Sequence, residues 1–560
     1  MIIGLDVGGT HTDAVLLGSD GLVASVKVRT DASNLFQTVL SGLDEITAGI
    51  DPQRIQRIVL STTLTTNAIA QRKIPPVGMI VSGGPGIDPE FFRTNPLYFP
   101  VSGAIDHRGL EITPVDEREV SRVADLLKQQ EIRYVGVVGK FSVRNPQHEI
   151  RISNILNESF DRVFVGHKVS GKLNFARRIA TTYLNTTMYP VHRAFFQAVK
   201  KSLDEKGLKV PIYVLKADGG TMNLTSSIQS PGQTALSGPA ASAMGSLAFS
   251  PTGVDALSLD IGGTTTDMAV ICDRTPLLHP TGIRVGGYRT LIRSIETRSI
   301  GIGGDSLVRI QNGALNIGPE RQGPAMAHGG PVPTPTDALF VLGSVENGDR
   351  GKATAGIQTV AEGLGVSIQA AAEQVLDHTC RKILANIRDL VERINNRPVY
   401  TVEGIQEGRR IKPTRILALG GPAPYFADHI EKISNINTRV IPQWQVANAV
   451  GAGLARTTCE VNLFADTQLG LCMAPQEGYK ERIRPGFTSR DAVAQAYRLL
   501  EEKALAIGAG SDDLEMETVD NQQFNMVRGF QTIGKNIRVS VQVKPGLIHE
   551  YQRIVSGLDG

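Results

Sequence analysis

Two stretches of the chain carry residue types suited to phosphate and metal chemistry. Leu5-Asp6-Val7-Gly8-Gly9-Thr10-His11-Thr12-Asp13 recurs as Leu259-Asp260-Ile261-Gly262-Gly263-Thr264-Thr265-Thr266-Asp267, with seven of nine positions identical. In each copy an apolar run, Ile2 to Leu5 or Ala256 to Leu259, ends in Asp-x-Gly-Gly-Thr. A second apolar run follows, Ala14 to Leu17 or Met268 to Ile271. This pattern predicts a strand, a tight turn and a return strand. Gly8, Gly9, Gly262 and Gly263 let the backbone approach a ligand without Cβ interference. Their N–H groups, with the hydroxyls of Thr10, Thr12, Thr264 and Thr265, can surround a phosphate. A carboxylate at the end of the first strand, Asp6 or Asp260, suits hydrated Mg²⁺, which takes few protein ligands. One such copy alone reads equally well as a Gly-rich hairpin whose Asp caps its own turn; duplication favours a functional pair.

The rest of the chain has to position these turns. Residues 1 to about 170 alternate strand-like and helical runs, which predicts α/β structure with a largely parallel sheet. Asn174 to Lys206 reads as a long helix and a hinge into the second half. Pro211 to Leu215 is a strand running into Asp218-Gly219-Gly220, and open α/β sheets bind ligands beyond the carboxyl ends of their strands. Asp218 is therefore a catalytic candidate, with a turn-forming Asp-Gly as the alternative. Gly313 to Pro335 reads as a loop over the cleft. Arg415 to Leu419 is a strand that feeds Gly420-Gly421-Pro422-Ala423. The small-residue stretches Gly238 to Gly245 and Gln445 to Arg456 predict helices that let two domains approach closely. From Phe464 the pattern changes to a small α+β appendage.

Composition excludes several classes. With 58 basic and 55 acidic side chains over 560 residues, the formal charge is only +3. That argues against a nucleic-acid partner. Cys272, Cys380, Cys459 and Cys472 are scattered, so neither a disulfide framework nor a thiolate cluster is expected. No basic leader precedes Ile2, and no apolar run reaches the ~20 residues that span a bilayer. A cytoplasmic protein without signal peptide or membrane span is expected. Zinc-protease, α/β-hydrolase and P-loop signatures do not occur, and Gly301-Ile302-Gly303-Gly304 departs from dinucleotide-binding spacing.

The duplicated motif resembles the actin, sugar kinase and Hsp70 ATPase superfamily, in which two similar domains each offer such a hairpin to ATP. Its details are similar to the hydantoinase/oxoprolinase family, the A-type subunits of ATP-dependent hydantoinases and their acetone carboxylase-like relatives. The narrower match rests on Asp6 to Asp13, Thr62 to Ala68, Asp218 to Gly220, Ser237 to Ser242, Leu259 to Asp267, Gly301 to Ser306, Thr336 to Ala338 with Leu342-Gly343, and Gly420 to Ala423. The family usually has Phe at the position of His11. The resemblance covers about residues 1 to 460. It implies two actin-like, ribonuclease H-like ATPase domains, 1–175 and 176–460, with an interdomain cleft, followed by the small C-terminal α+β region, 461–560. It also implies ATP and Mg²⁺ as cofactors, with Gly303, Gly304, Asp305, Gly420, Gly421 and Pro422 joining the hairpins around the nucleotide.

The function so implied is ATP-dependent activation of a cyclic amide, hydantoin, oxoproline or lactam-like, or of a related carbonyl compound. Amides resist hydrolysis through resonance, and phosphorylation of the carbonyl or enol oxygen creates a leaving group. Asp6 and Asp260 would organise Mg²⁺, and Asp218 would orient the acceptor. A B-type hydantoinase subunit is an expected partner in such systems, and a homo-oligomer is compatible with the sequence. A non-metabolic ATPase switch or a sugar kinase on the same scaffold are the alternatives. His107, His328 and Asp337 are candidates for a second metal, without tight ligand spacing.

Overall fold

The computed structural model describes residues 1–31, 33–70, 74–397 and 410–558. Two mixed sheets carry the two motif copies. In the first, the order from edge to edge is Thr221–Asn223, Ile212–Leu215, Arg57–Thr62, Ile2–Val7, His11–Gly18 and Gly21–Arg29. In the second it is Thr275–Pro276, Thr266–Cys272, Asp255–Ile261, Arg415–Leu419 and Asn437–Val440, with Thr297–Ile300 also pairing with Thr266–Cys272.

The duplication extends to register. Ile2–Val7 runs antiparallel to His11–Gly18 and parallel to Arg57–Thr62. Asp255–Ile261 runs antiparallel to Thr266–Cys272 and parallel to Arg415–Leu419. Asp6 faces Asp13 across the first hairpin as Asp260 faces Asp267 across the second. Three antiparallel strands continued by parallel ones form the ribonuclease H-like topology of actin-like ATPases, so the expected α/β fold with two such sheets is present.

Between the sheets lie the two small-residue helices, Ser237–Ala248 and Ala447–Leu454, in one core with Val15, Leu17, Ala269 and Leu417. Glycine is required at their crossing: a Cβ on Gly451 would lie 2.2 Å from Gly245 N, and one on Gly4 would lie 2.1 Å from Ala449 O. The second helix is thereby pressed onto the first strand as well as onto its partner.

Three expectations change. The strand-rich region up to residue 170 contributes to two sheets, because Arg162–Val165, Tyr134–Gly139, Gly78–Ser82 and Tyr98–Val101 form a separate parallel one. Ile212–Leu215 and Thr221–Asn223 complete the first sheet, although they follow the expected boundary at 175/176. Phe175–Glu205, expected as a hinge, packs within the first lobe: Phe196, Val199 and Leu203 bury against Ile3, Leu5 and Ile58. Its N-terminal half also reaches the second half of the chain, where Arg177 donates to Thr281 O at 2.9 Å and Leu291 N–H donates to Thr181 Oγ1 at 2.8 Å.

The C-terminal region is a five-stranded antiparallel sheet, begun by Glu460–Asp466 and covered by the helix Ser489–Ala506. It is anchored to the first lobe by Arg108, 3.1 Å from the buried Asp466 carboxylate. The last helix, Tyr551–Ser556, returns to the core between the two sheets. No helix among the described residues is long and apolar enough to cross a membrane.

Candidate active site

Each hairpin turn closes in the same way. Gly8 N–H donates to His11 O at 3.0 Å, and Gly262 N–H donates to Thr265 O at 2.9 Å. The first turn is open, since a Cβ on Gly9 would meet nothing within 4 Å. Gly9 and Thr10 are exposed, as is Thr264 in the second turn. Thr12, expected near the phosphates, is fully buried and shares a hydrogen bond with Thr30 at 3.0 Å. It sits on the return strand, where it fixes the hairpin rather than lining its mouth.

The second turn is backed by the Gly301 to Ser306 segment. Gly304 N–H donates to Gly262 O at 2.9 Å, and Asp305 N–H donates to Gly263 O at 2.7 Å. A side chain on Gly303 would lie 2.4 Å from Gly262 O, so only glycine permits this approach. Gly420, at φ +93°, sits against the end of the second hairpin strand; its Cβ would be 2.4 Å from Asp260 Oδ1. Pro422 packs beside Gly304. Gly262, Gly263, Gly303, Gly304, Asp305 and Gly420 to Pro422 thus form one continuous wall around Asp260.

The carboxylates at the ends of the two first strands converge. Ser242 Oγ donates to Asp260 Oδ2 at 2.6 Å, and Asn448 Nδ2 donates to the same oxygen at 3.1 Å. The side chains of Ser61 and Asn448 also lie beside the Asp6 carboxyl and favour its charged form. Asp6 is 6% exposed, and its Oδ1 has no hydrogen-bond partner. Burial pushes its carboxyl up to about 7, and Asp13 and Asp260 add to the shift. Asp267 is likewise raised to about 7 by burial and by Asp260, and its Oδ1 also lacks a partner. Buried carboxyls held up together mark a place short of positive charge. That donor set fits a hydrated divalent cation held by one or two carboxylates.

Sequence reasoning missed Asn448 and Arg321. Arg321 comes from the stretch expected to lie over the cleft, and its Nη2 is 2.8 Å from Asp305 Oδ2. Its charge is felt by His11 on the first turn. A lone Arg in a Gly/Pro-rich loop gave no signal, while Asn448 was visible only as one polar residue in a small-residue helix.

Asp218 is not at the hairpins. It is 1% exposed, and its oxygens are engaged by Lys216 Nζ at 3.1 Å, Thr458 Oγ1 at 2.8 Å and Gly220 N–H at 3.0 Å. Burial favours its neutral form, but Lys216 and Arg293 outweigh that and hold the carboxyl near 2. The carboxylate balances the charge of Lys216 and Arg293 and lines a cavity apart from the hairpins. His107, His328 and Asp337 do not gather either. His107 and His328 are exposed, and Asp337 caps its helix by accepting from Thr334 Oγ1 and from Met326, Ala327 and Thr334 N–H. Among the described residues no three His, Cys, Asp or Glu side chains are grouped to hold a metal.

Two ribonuclease H-like lobes with facing hairpins define the scaffold class. The chain belongs to the hydantoinase/oxoprolinase family: residues 178–461 match that family, and residues 2–160 match the hydantoinase/oxoprolinase N-terminal region. Caprolactamase subunit alpha of Pseudomonas jessenii is 26% identical over 433 residues, covering 69% of this chain and 62% of that one. The acetophenone carboxylase gamma subunit of Aromatoleum aromaticum is 26% identical over 391 residues, covering 61% of this chain and 53% of that one. The chain therefore spans less than two thirds of the length of either relative. The crystal structure of ATP-dependent caprolactamase from Pseudomonas jessenii superposes with a TM-score of 0.71 at 20% identity, over 97% of this chain and 87% of that one.

Proposed function

We propose that this chain is the ATP-using subunit of an enzyme that activates a cyclic amide, or a related carbonyl compound, for ring opening. The observation that carries the reading is the convergence of Asp6 and Asp260, close enough for each charge to bear on the other, beside Asn448 and the glycine turns of both hairpins. Caprolactamase acts by its name on a lactam and acetophenone carboxylase on a ketone, both carbonyl compounds, and both relatives are named as subunits. That supports a small carbonyl substrate and a second, B-type subunit as partner.

ATP with Mg²⁺ would supply the phosphoryl group that turns an amide oxygen into a leaving group. The protein's part is positioning and charge balance. Asp6 and Asp260 hold the cation, directly or through water. The N–H groups of Gly9 and Gly263 and the hydroxyls of Thr10 and Thr264 would face the phosphates, while the N–H groups of Gly8 and Gly262 close the turns by donating to His11 O and Thr265 O. Gly420 to Pro422 and Gly303 to Asp305 give the flat backbone against which the nucleoside lies. Arg321, restrained by Asp305, adds a cation at the mouth.

Phosphate release measured over hydantoins, oxoproline, lactams, ketones and sugars, with and without a B-type subunit, tests this. Stimulation by a cyclic amide or ketone is expected. Stimulation by sugars alone, or nucleotide binding that persists in Asp6→Ala with Asp260→Ala, would defeat it.

A further inference from the structure

A cavity of about 700 Å³ lies apart from the hairpins and shares no lining residue with them or with Gly303–Asp305 and Gly420–Pro422. Three parts of the chain meet there: Arg162 to Ser170 of the first lobe, Leu291 to Arg293 of the second half, and Thr458 to Glu460 with Glu477 and Lys503 of the C-terminal region.

The charges lining it do not cancel in pairs. Lys216 is matched by Asp218 at 3.1 Å, and Lys503 by Glu477 Oε1 at 2.7 Å. Glu460 is matched from outside the cavity by Lys172 at 3.0 Å. Arg293 shares carboxylates that other cations also hold, Asp218 with Lys216 and Glu460 with Lys172: its Nε stands 3.5 Å from Asp218 Oδ2, its Nη2 donates to Val543 O at 3.3 Å, and its buried Nη1 has no partner. Lys168 donates only to the carbonyl of Gln476, at 3.0 Å. Acceptors are also left over: Glu477 Oε2 is buried without a partner, and the exposed carboxylate of Glu502 lines the cavity as well.

An unsatisfied buried guanidinium N–H and an unsatisfied buried carboxylate oxygen each cost free energy unless something pairs with them. A molecule with a carboxylate at one end and an N–H donor at the other answers both. The surrounding potential agrees. Burial disfavours charge on Asp218 and Glu460, yet both are held near 2, with Arg293 among the causes in each case.

We propose that this cavity is a binding site for a small amino-acid-like zwitterion, its carboxylate held by Arg293 and Lys168 and its N–H group by Glu477 Oε2. The site stands whatever the hairpins bind. An opened lactam is such a molecule, and that link alone rests on the proposed function.

Calorimetric titration of the full chain with γ-aminobutyrate, δ-aminovalerate and ε-aminocaproate tests the site, with hexanoate and hexylamine as single-ended probes. Saturable binding of at least one zwitterion is expected, with hexanoate weaker and hexylamine silent. Arg293→Met should weaken the zwitterion by at least about tenfold. Glu477→Gln should remove its advantage over hexanoate while leaving hexanoate itself unchanged. Mg-ADP affinity, read on the same samples, should not move in either variant. No heat with any zwitterion up to roughly 10 mM, the weak end of specific binding, overturns the proposal. So does unchanged zwitterion affinity in Arg293→Met, or in Glu477→Gln alone should Arg293→Met not fold.

Discussion

Asp6 and Asp260, the corresponding residues of the two motif copies, both lie beside the amide of Asn448, which donates to Asp260 Oδ2 at 3.1 Å and favours the charged form of Asp6. The amide comes from the first turn of Ala447–Leu454, the helix pressed onto the first strand at Gly4. Helix packing and carboxylate spacing are therefore one constraint.

Replacing Asn448 with Ala removes its hydrogen bond to the part-buried Asp260 carboxylate and its polar group beside Asp6, which should cost roughly 1 to 3 kcal/mol. Urea unfolding measures that loss. Asn448→Asp should be worse, because it puts a third carboxylate between two others. If Asn448→Asp unfolds at the wild-type midpoint, the shared-amide geometry is wrong.

Gly420→Ala should damage nucleotide binding selectively. Its φ of +93° strains any side chain, and the added Cβ would press on Asp260 Oδ1 at 2.4 Å. Mg-ATP affinity should fall by at least about tenfold. The neighbouring Gly421→Ala, where a Cβ meets nothing within 4 Å, should melt like wild type. Equilibrium dialysis and thermal melts on both variants decide it.

The crossing of the two small-residue helices should control how the lobes move. Gly451→Ala would place a Cβ 2.2 Å from Gly245 N, and overpacking of this kind costs about 1 to 3 kcal/mol or more. Wild-type scattering curves should change on addition of Mg-ATP as the lobes close. Identical curves with and without saturating Mg-ATP would count against any such movement.

What could be read from sequence followed from local chemistry. The duplicated hairpins were legible because Asp, Gly and Thr recur at fixed spacing, and the wall residues Gly303, Gly304 and Gly420 only through the resemblance to the hydantoinase/oxoprolinase family. Asn448 and Arg321 were hidden because their partners are remote: Asp6 and Asp260 for one, Asp305 for the other. Asp218 shows the converse. Its strand-end position is visible in sequence, but Thr458 and Arg293, which commit its carboxylate to charge balance, come from distant segments. The placement of Ile212–Leu215 in the first sheet depends on parallel pairing with Ile58 to Leu60, which local pattern does not encode.

Acid sensitivity should trace in part to His192. The ring is buried against Phe196, its Nδ1 has no partner, and burial lowers its pKa from 6.5 to about 3. The unfolded chain takes up a proton below 6.5 that the folded one refuses until about 3. Stability is therefore full above the unfolded value and falls as pH drops toward the folded one. The loss between about pH 7.5 and about pH 5 is about 2 kcal/mol from this group. Unfolding of His192→Leu at the two pH values should show that part of the acid loss gone. An unchanged difference would mean the imidazole is not held neutral.

The four motif carboxylates should divide by partner. Asp6 and Asp13 face each other across one hairpin and Asp260 and Asp267 across the other, so all four lie close to the same chemistry. Asp13, however, already has a cation in Lys27 on the neighbouring strand. Asp267 has the hydroxyls of Ser299, on the next strand, and Thr265, in the turn, beside it. Asp6 and Asp260 have Asn448 and hydroxyls only, and no cation from the protein. Asp6→Ala and Asp260→Ala should therefore abolish Mg-dependent turnover with little loss of stability, because each removes a carboxyl, buried in Asp6 and part-buried in Asp260, that lacks a charge partner. Asp13→Ala and Asp267→Ala should chiefly destabilise, by ~1 to 3 kcal/mol for the lost acceptor. Melts and phosphate-release assays on the four single variants separate the groups. An Asp13→Ala protein that melts like wild type yet is as inactive as Asp6→Ala would make Asp13 a direct participant and collapse the division.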